Sequence, residues 1–272
     1  MLKARVITAL VLLSVLLPVL YSNSFIAFLL LVIAFFAAAC WESSKLFNSR
    51  HPGIGAGIWT SAFIFMVFYG NSGIALSLFG ICAVFWLFFF VPSLARGLPE
   101  TNSLFSRLLG SIYGISILGC FMAIVALYQY SSAFLLSVMA IVWIADIGAY
   151  SSGKAFGKHK LAPSISPGKS WEGAIGGWVA VMLAAIVSTQ LPQLSNTFSA
   201  KLQTSFGWLG LLSGMTILVA ASIVGDLFES LLKRRSSVKD SSKLLPGHGG
   251  VLDRIDALIP VLPLATLLSA WL

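Results

Sequence analysis

Long runs of apolar residues follow one another along almost the whole chain, and their length decides what it can fold into. A helix needs roughly 20 mostly apolar residues to cross the hydrocarbon core of a bilayer. Of the 272 residues, 58% are hydrophobic and 10% are charged, whereas a soluble domain has about 25% charged residues. The sequence therefore predicts an all-α polytopic integral membrane protein. The runs are continuous rather than alternating, which argues against a β-barrel.

Nine transmembrane helices are predicted from these runs, at 5–21, 24–40, 57–69, 73–91, 109–127, 132–150, 173–190, 208–232 and 255–272. The first run follows two basic residues and could also be read as a signal peptide. It has no clear small-x-small cleavage site and another span follows closely, so we expect an uncleaved helix.

The basic residues lie almost entirely on one side of the membrane if nine helices cross it and the N-terminus is in the cytoplasm. Sixteen of the 17 Lys and Arg residues then fall in cytoplasmic segments, and Lys201 alone falls outside. This bias predicts a C-terminus on the opposite side of the membrane. The compact length fits a multi-pass protein of a bacterial plasma (inner) membrane, and an organellar membrane is the alternative left open. The bias also accounts for the net charge of +8, so no nucleic-acid partner is predicted.

Acidic residues are concentrated in the second half of the chain, where seven of the nine Asp and Glu residues lie at or after position 146. We therefore expect helices within 1–130 to form a scaffold. Region 131–272 is expected to be catalytic, with cytoplasmic loops at 151–172 and 233–254.

The eighth predicted helix carries charge at membrane depth. Asp226, Glu229, Ser230 and Lys233 are spaced i, i+3, i+4 and i+7, which places them on one helix face. An ion pair between Glu229 and Lys233 would explain two of them. It would leave Asp226 unexplained, and a buried Asp is costly unless it serves a site.

The segment that follows combines three elements suited to phosphate chemistry. A basic cluster precedes the loop 247–250, whose glycines allow close backbone approach to a phosphate. Asp253 and Asp256 then lie at i and i+3, and carboxylates with substrate phosphates commonly hold Mg²⁺. This combination predicts phosphoryl or nucleotidyl transfer.

Segment 230–256 resembles the signature of the phosphatidate cytidylyltransferases, also called CDP-diacylglycerol synthases. Its matching residues are Ser230, Leu232, Lys233, Arg234, Lys239, Asp240, Ser242, Leu245, Pro246, His248, Gly249, Gly250, Val251, Asp253, Arg254, Ile255 and Asp256. Segments 146–150 and 166–173 are similar to two further family motifs, with Gly168 where lysine is usual and Ser170 in place of threonine.

The resemblance implies that CTP and phosphatidate give CDP-diacylglycerol and pyrophosphate at the cytoplasmic face of the bilayer. It implies Mg²⁺ or another hard divalent cation on Asp226, Asp253 and Asp256, and leaves a second cation and a homodimer open. Ser230 would contact metal or phosphate. Phosphate would be bound by Lys233, Arg234, Lys239, Arg254 and the loop His248, Gly249 and Gly250; the other wall would be Asp146, Ser166, Lys169 and Glu172.

Three alternatives stay open from the sequence. Another CTP-using membrane enzyme, such as a polyprenol kinase, would share the substrate and metal logic. A transporter could use buried acids as ion sites, although no inverted repeat is evident. The third alternative is a catalytically inactive membrane scaffold.

Overall fold

The computed structural model of the protein describes residues 24–272 in full, together with residues 8, 10, 11, 14 and 16–19. Within this part of the chain, seven helices are long and apolar enough to cross a membrane. They are α1 (Phe25–Leu46), α2 (Pro52–Tyr69), α3 (Ser72–Arg96), α4 (Leu104–Tyr130), α5 (Ser132–Phe156), α6 (Trp171–Gln190) and α7 (Phe198–Arg235). The prediction of an all-α polytopic membrane protein is confirmed. Most of the predicted span 5–21, with Lys3 and Arg5, lies outside the described residues.

The last predicted span, 255–272, is divided into two pieces. A single turn of helix, α8, covers Leu252–Ile255, and α9 covers Leu258–Ser269. At 1.5 Å per residue, the 12 residues of α9 reach about 18 Å, which is shorter than a bilayer core. The count of nine spans and the orientation in the membrane stay predictions.

The predicted loop 151–172 contains regular secondary structure for much of its length. Helix α5 continues to Phe156, two antiparallel strands follow at Lys160–Ala162 (β1) and Ser166–Ser170 (β2), and α6 begins at Trp171. Helix α5 extends past its apolar run because backbone hydrogen bonds form whether or not the side chains are apolar. Ser170 ends the hairpin and caps α6, because its Oγ accepts a hydrogen bond from the Gly173 N–H at 3.1 Å.

Two long helices are irregular where the local sequence disfavours a straight helix. Helix α3 contains a π turn over Trp86–Phe90, which ends two residues before Pro92, a residue with no N–H to donate. Helix α7 bends at Gly207, whose φ of 67° is accessible to glycine. The predicted span 208–232 begins immediately after this bend.

Glycines bring neighbouring helices close together. A Cβ added at Gly177 of α6 would lie 2.6 Å from the Ala145 carbonyl oxygen of α5. A Cβ at Gly114 of α4 would lie 2.6 Å from the Trp59 ring of α2. The three cysteines Cys40, Cys82 and Cys120 are free and buried in the same apolar core.

The connections on one side of the bundle meet each other. Arg235, at the end of α7, donates hydrogen bonds to the carbonyl oxygens of Leu46 and Pro99 and to Ser106 Oγ, at 3.1–3.4 Å. Its neighbour Arg234 donates to the carbonyl of Ile165 in the hairpin at 3.2 Å. Segments that the charge bias assigns to the cytoplasm therefore gather at one end.

Candidate active site

A cavity of about 450 Å³ lies between α5, the β2 strand, the start of α6, and α7. Asp146, Lys169 and Asp226 all line it. The Nζ of Lys169 is 2.6 Å from Asp226 Oδ2, and both side chains are partly exposed. Two segments that are 57 residues apart thus contribute opposite charges to one opening, as expected for a polar site that a small anion can enter.

The polar face of α7 is present as its spacing predicts. Ser230 Oγ donates a hydrogen bond to Asp226 Oδ1 at 3.3 Å, one turn along the helix. One turn further, Lys233 forms an ion pair with Glu229, whose side chain is completely buried. The predicted intrahelical pair is therefore real, and it lies next to Asp226 on the same face.

Lys233 also reaches the carboxylate of Asp253 in the following segment. Its Nζ lies 2.6 Å from Asp253 Oδ1. Asp253 Oδ2 accepts from the Ser241 N–H, the Ser241 hydroxyl and the Gly250 N–H, each at 2.8 Å. Burial alone would raise the pKa of Asp253, but these donors hold it below its usual value. Asp253 is therefore a firmly anchored anion.

Asp256 lies close to Asp226, although it belongs to the segment after α8. Its Oδ1 accepts the Ala257 N–H at 2.8 Å, and Gly225 of α7 lies directly against its carbonyl oxygen. Asp226 and Asp256 are thus neighbouring acids whose like charges repel, and a cation between them would relieve that repulsion.

The carboxylate oxygens of Asp226 and Asp256 are ligands that suit a hard divalent ion, whereas Asp253 differs from expectation. In residues 24–272, which include every acid of the chain, no three His, Cys, Asp or Glu side chains converge as a ready metal site. Asp226 and Asp256 supply two carboxylates, the number that commonly holds Mg²⁺ when substrate phosphates complete the shell. Asp253, the expected third ligand, is instead paired with Lys233.

The loop that contains His248, Gly249 and Gly250 wraps around the Asp253 carboxylate. Gly249 has a φ of 81°, and a Cβ there would lie 2.6 Å from Asp253 Oδ2. The Gly249 carbonyl accepts the Leu245 N–H at 2.8 Å, which closes the turn. Glycine is therefore needed here both for its conformation and for close approach. The expected role in phosphate binding stays a prediction.

Known proteins resemble this chain over nearly its whole length. The model of the cytidylyltransferase family matches residues 3–272. The chain belongs to the cytidylyltransferase family. It is 40% identical to the phosphatidate cytidylyltransferase of Pseudomonas aeruginosa, over 97% of this chain and 95% of that protein. It is 39% identical to the enzyme of that name from Haemophilus influenzae, over 97% and 96% of the two chains.

Of the predicted site residues, only Asp146, Lys169 and Asp226 line the cavity of this cytidylyltransferase. Ser166 pairs with Ala162 at the start of β2 and is absent from the lining. Glu172 accepts from the backbone and ring nitrogens of His159, at 3.2 and 2.6 Å, and so holds the hairpin against α6. We read both as residues that shape the hairpin on which Lys169 lies.

The remaining predicted cations differ in their freedom to bind substrate. Arg234 is tied to the hairpin through Ile165, as described above. Lys239 and Arg254 are exposed, and neither forms a salt bridge with any residue in 24–272. Their charge is therefore available to phosphates.

Four residues at or beside the site were given no individual role by the sequence analysis. Tyr150 and Lys154 line the cavity, one and two turns after Asp146 on α5; that helical spacing was the available signal. Ser241 anchors Asp253. The fourth, Glu42, comes from α1 and contacts the segment around Asp253; no spacing pattern in the sequence indicates this contact.

Proposed function

We propose that this chain is a phosphatidate cytidylyltransferase, which transfers the CMP group of CTP to phosphatidate and releases pyrophosphate. The observation that carries the proposal is the Lys169–Asp226 pair, 2.6 Å apart, in a cavity that Asp146 also lines. Family membership over nearly the whole chain, and relatives of that name, support it.

The reaction needs no nucleophile from the protein. An oxygen of the phosphatidate monoester attacks the α-phosphorus of CTP and forms a new P–O bond. The bond between the α-phosphorus and the oxygen that bridges it to the β-phosphate breaks, and the electron pair of that bond leaves with pyrophosphate. Because a phosphate monoester has a second pKa near 6, the attacking oxygen is already ionised at neutral pH. Ser230, which donates to Asp226, has a positioning role in this scheme.

Catalysis then consists of orienting two polyanions and neutralising their charge. Lys169 lines the cavity, and the exposed Lys239 and Arg254 can reach phosphate oxygens without first breaking a salt bridge. Lys233 holds Asp253 in place.

A divalent cation such as Mg²⁺ would be held by Asp226 and Asp256, with Asp253 beside them, and would neutralise charge on the triphosphate. Asp226 belongs to α7 and Asp256 ends α8, and the Asp256 carbonyl oxygen lies against Gly225, the residue before Asp226.

The membrane helices place this chemistry where both substrates can arrive. Phosphatidate enters from the bilayer, and CTP enters from water at the end where the hairpin and segment 233–254 gather. In a bacterium this end would face the cytoplasm from the inner membrane.

The test is label transfer by purified protein in detergent. Protein is incubated with phosphatidate, cytidine-labelled CTP and Mg²⁺, with and without EDTA. The proposal predicts chelator-sensitive appearance of label in the lipid phase. Labelled CDP in the aqueous phase with no labelled lipid would instead indicate a lipid kinase, and no turnover by well-folded protein would contradict the proposal.

A further inference from the structure

Glu42 is a fully buried carboxylate in the last turn of α1, far in sequence from the residues considered so far. Its Oε1 accepts from the Ser242 hydroxyl at 2.5 Å and from the Val251 N–H at 3.1 Å. Its Oε2 accepts from the Leu252 N–H at 2.6 Å and lies 3.3 Å from the Ser241 hydroxyl. All four donors belong to segment 241–252.

Burial of the Glu42 carboxylate carries a large desolvation free energy, which the packing of a helix does not require. No salt bridge in the described chain includes Glu42, so its charge is balanced by hydrogen bonds alone. The rest of the buried face of α1 is mainly apolar and includes Phe28, Val32 and Phe36. An apolar residue at position 42 would serve simple packing at lower cost, so the carboxylate must serve the segment that it binds.

The segment held by Glu42 is also the segment that holds Asp253. Ser241 has one hydroxyl proton to donate, and its Oγ lies 2.8 Å from Asp253 Oδ2 and 3.3 Å from Glu42 Oε2. Gly250 donates its N–H to Asp253 and lies so close to Glu42 that a Cβ there would collide with Oε1. Glu42 and Asp253 therefore both contact Ser241 and Gly250, from opposite ends of the chain.

The two acids expected near the substrate, Asp253 and Asp256, come directly after segment 241–252 in the chain. Leu252, whose N–H is bound by Glu42, is the first residue of α8, and Asp253 is the second. Asp256 follows at the end of α8. A shift of segment 241–252 would therefore move both carboxylates relative to Asp226 and Lys233, which belong to α7.

We propose that Glu42 is a positioning residue of the active site, which fixes segment 241–252 so that Asp253 and Asp256 are held against α7. The inference rests on the proposed function, and it makes a residue of the N-terminal region part of the catalytic arrangement. Such supporting hydrogen bonds are commonly worth about 10- to 100-fold in activity.

The test compares Glu42→Gln and Glu42→Asp with the wild type. Gln keeps the shape but replaces one accepting oxygen with an NH₂ group, which cannot accept from the donors that face it. We expect kcat to fall about 10- to 100-fold in Glu42→Gln, with a smaller change in KM for CTP. Glu42→Asp keeps both oxygens and should retain more activity than Glu42→Gln. Glu100→Gln, which removes an exposed acid, is the matched control and should equal the wild type.

Hydrogen exchange followed by mass spectrometry separates positioning from general loss of structure. We expect faster exchange in segment 241–252 of Glu42→Gln, with α2, α5 and α6 unchanged. Unchanged exchange in that segment, wild-type kcat, or faster exchange throughout the bundle would each overturn the inference. If Glu42→Gln cannot be purified folded, Glu42→Asp is measured instead, because its shorter side chain draws both oxygens back from segment 241–252. A kcat below the wild type with faster exchange in that segment would then support the inference, and wild-type kcat with unchanged exchange would overturn it.

The two proposals fail in different ways. The exchange measurement uses protein without substrate, so it tests Glu42 whatever the reaction is. Wild-type protein that turns over no CTP would contradict the proposed function, whereas an active wild type matched by an equally active Glu42→Gln would contradict the inference.

Discussion

The ammonium group of Lys233 lies 2.6 Å from Asp253 Oδ1 and also pairs with Glu229 one turn earlier on α7. It is thus the link between the long helix α7 and the short helix α8. Lys233 is 14% exposed, and the two carboxylates are 0% and 5% exposed. Because ion pairs removed from water resist screening, this triad holds the two halves of the site together more firmly than a surface pair could.

Removal of the Lys233 charge should therefore harm both stability and activity. In Lys233→Met, the buried Glu229 and Asp253 lose their cation, and breaking a buried pair typically costs about 3–5 kcal/mol. We expect a lower unfolding temperature in detergent and loss of label transfer, whereas Lys243→Met, at an exposed position, should change neither. Addition of Glu229→Gln to Lys233→Met should recover part of the lost stability; no recovery would mean that the triad is not coupled.

Asp253→Asn should nearly abolish turnover while the protein stays folded. Asn keeps one accepting oxygen for the loop but has no charge for Lys233 or a metal ion. We expect less than about a tenth of wild-type label transfer, a change of more than about 1.4 kcal/mol in the barrier. Retention of more activity than this in a folded protein would remove Asp253 from the site.

Lys169→Gln should weaken the handling of CTP without unfolding the protein. The side chains of Lys169 and Asp226 are 25% and 32% exposed, so their ion pair contributes little to stability. We expect kcat/KM for CTP to fall about 10- to 100-fold at an unchanged unfolding temperature, as measured by initial rates. Lys160→Gln, an exposed change on β1, serves as control; equal losses in both variants would contradict a specific role for Lys169.

Gly249→Ala should disrupt the turn around Asp253. The left-handed conformation at φ 81° costs a non-glycine residue about 1–2 kcal/mol, and the new Cβ would meet Asp253 Oδ2. We expect a strong loss of activity together with modest destabilisation. In the matched control, Gly57→Ala in α2, the Cβ meets nothing within 4 Å, and activity should be unchanged.

Gly168→Lys should be accommodated, because a Cβ at Gly168 meets nothing within 4 Å and the residue lines the cavity. It restores the lysine that is usual in the family motif. An exposed ion pair contributes about 0.2–1 kcal/mol, so we expect KM for CTP to fall by at most about fivefold with kcat unchanged. A higher KM would show that added charge at this position hinders CTP.

Much of the architecture could be read from the sequence because it depends on local chain properties. Apolar run length is enough to locate spans, and i, i+3, i+4 and i+7 spacing is enough to place Asp226 and Lys233 on one face. Helix ends were less accessible: α5 and α7 continue to Phe156 and Arg235, since helical hydrogen bonding does not stop where the apolar run ends.

The sequence by itself determined the fold class, the family motif and the residue types available for phosphate chemistry. Only the tertiary structure decided which of these residues meet. Lys233 with Asp253, Lys169 with Asp226, and Glu42 with the Leu252 N–H are pairs separated by 20, 57 and 210 residues. The physical reason is that such contacts depend on how whole helices pack against one another, whereas hydrophobic runs and helical spacing report only on the segment in which they occur.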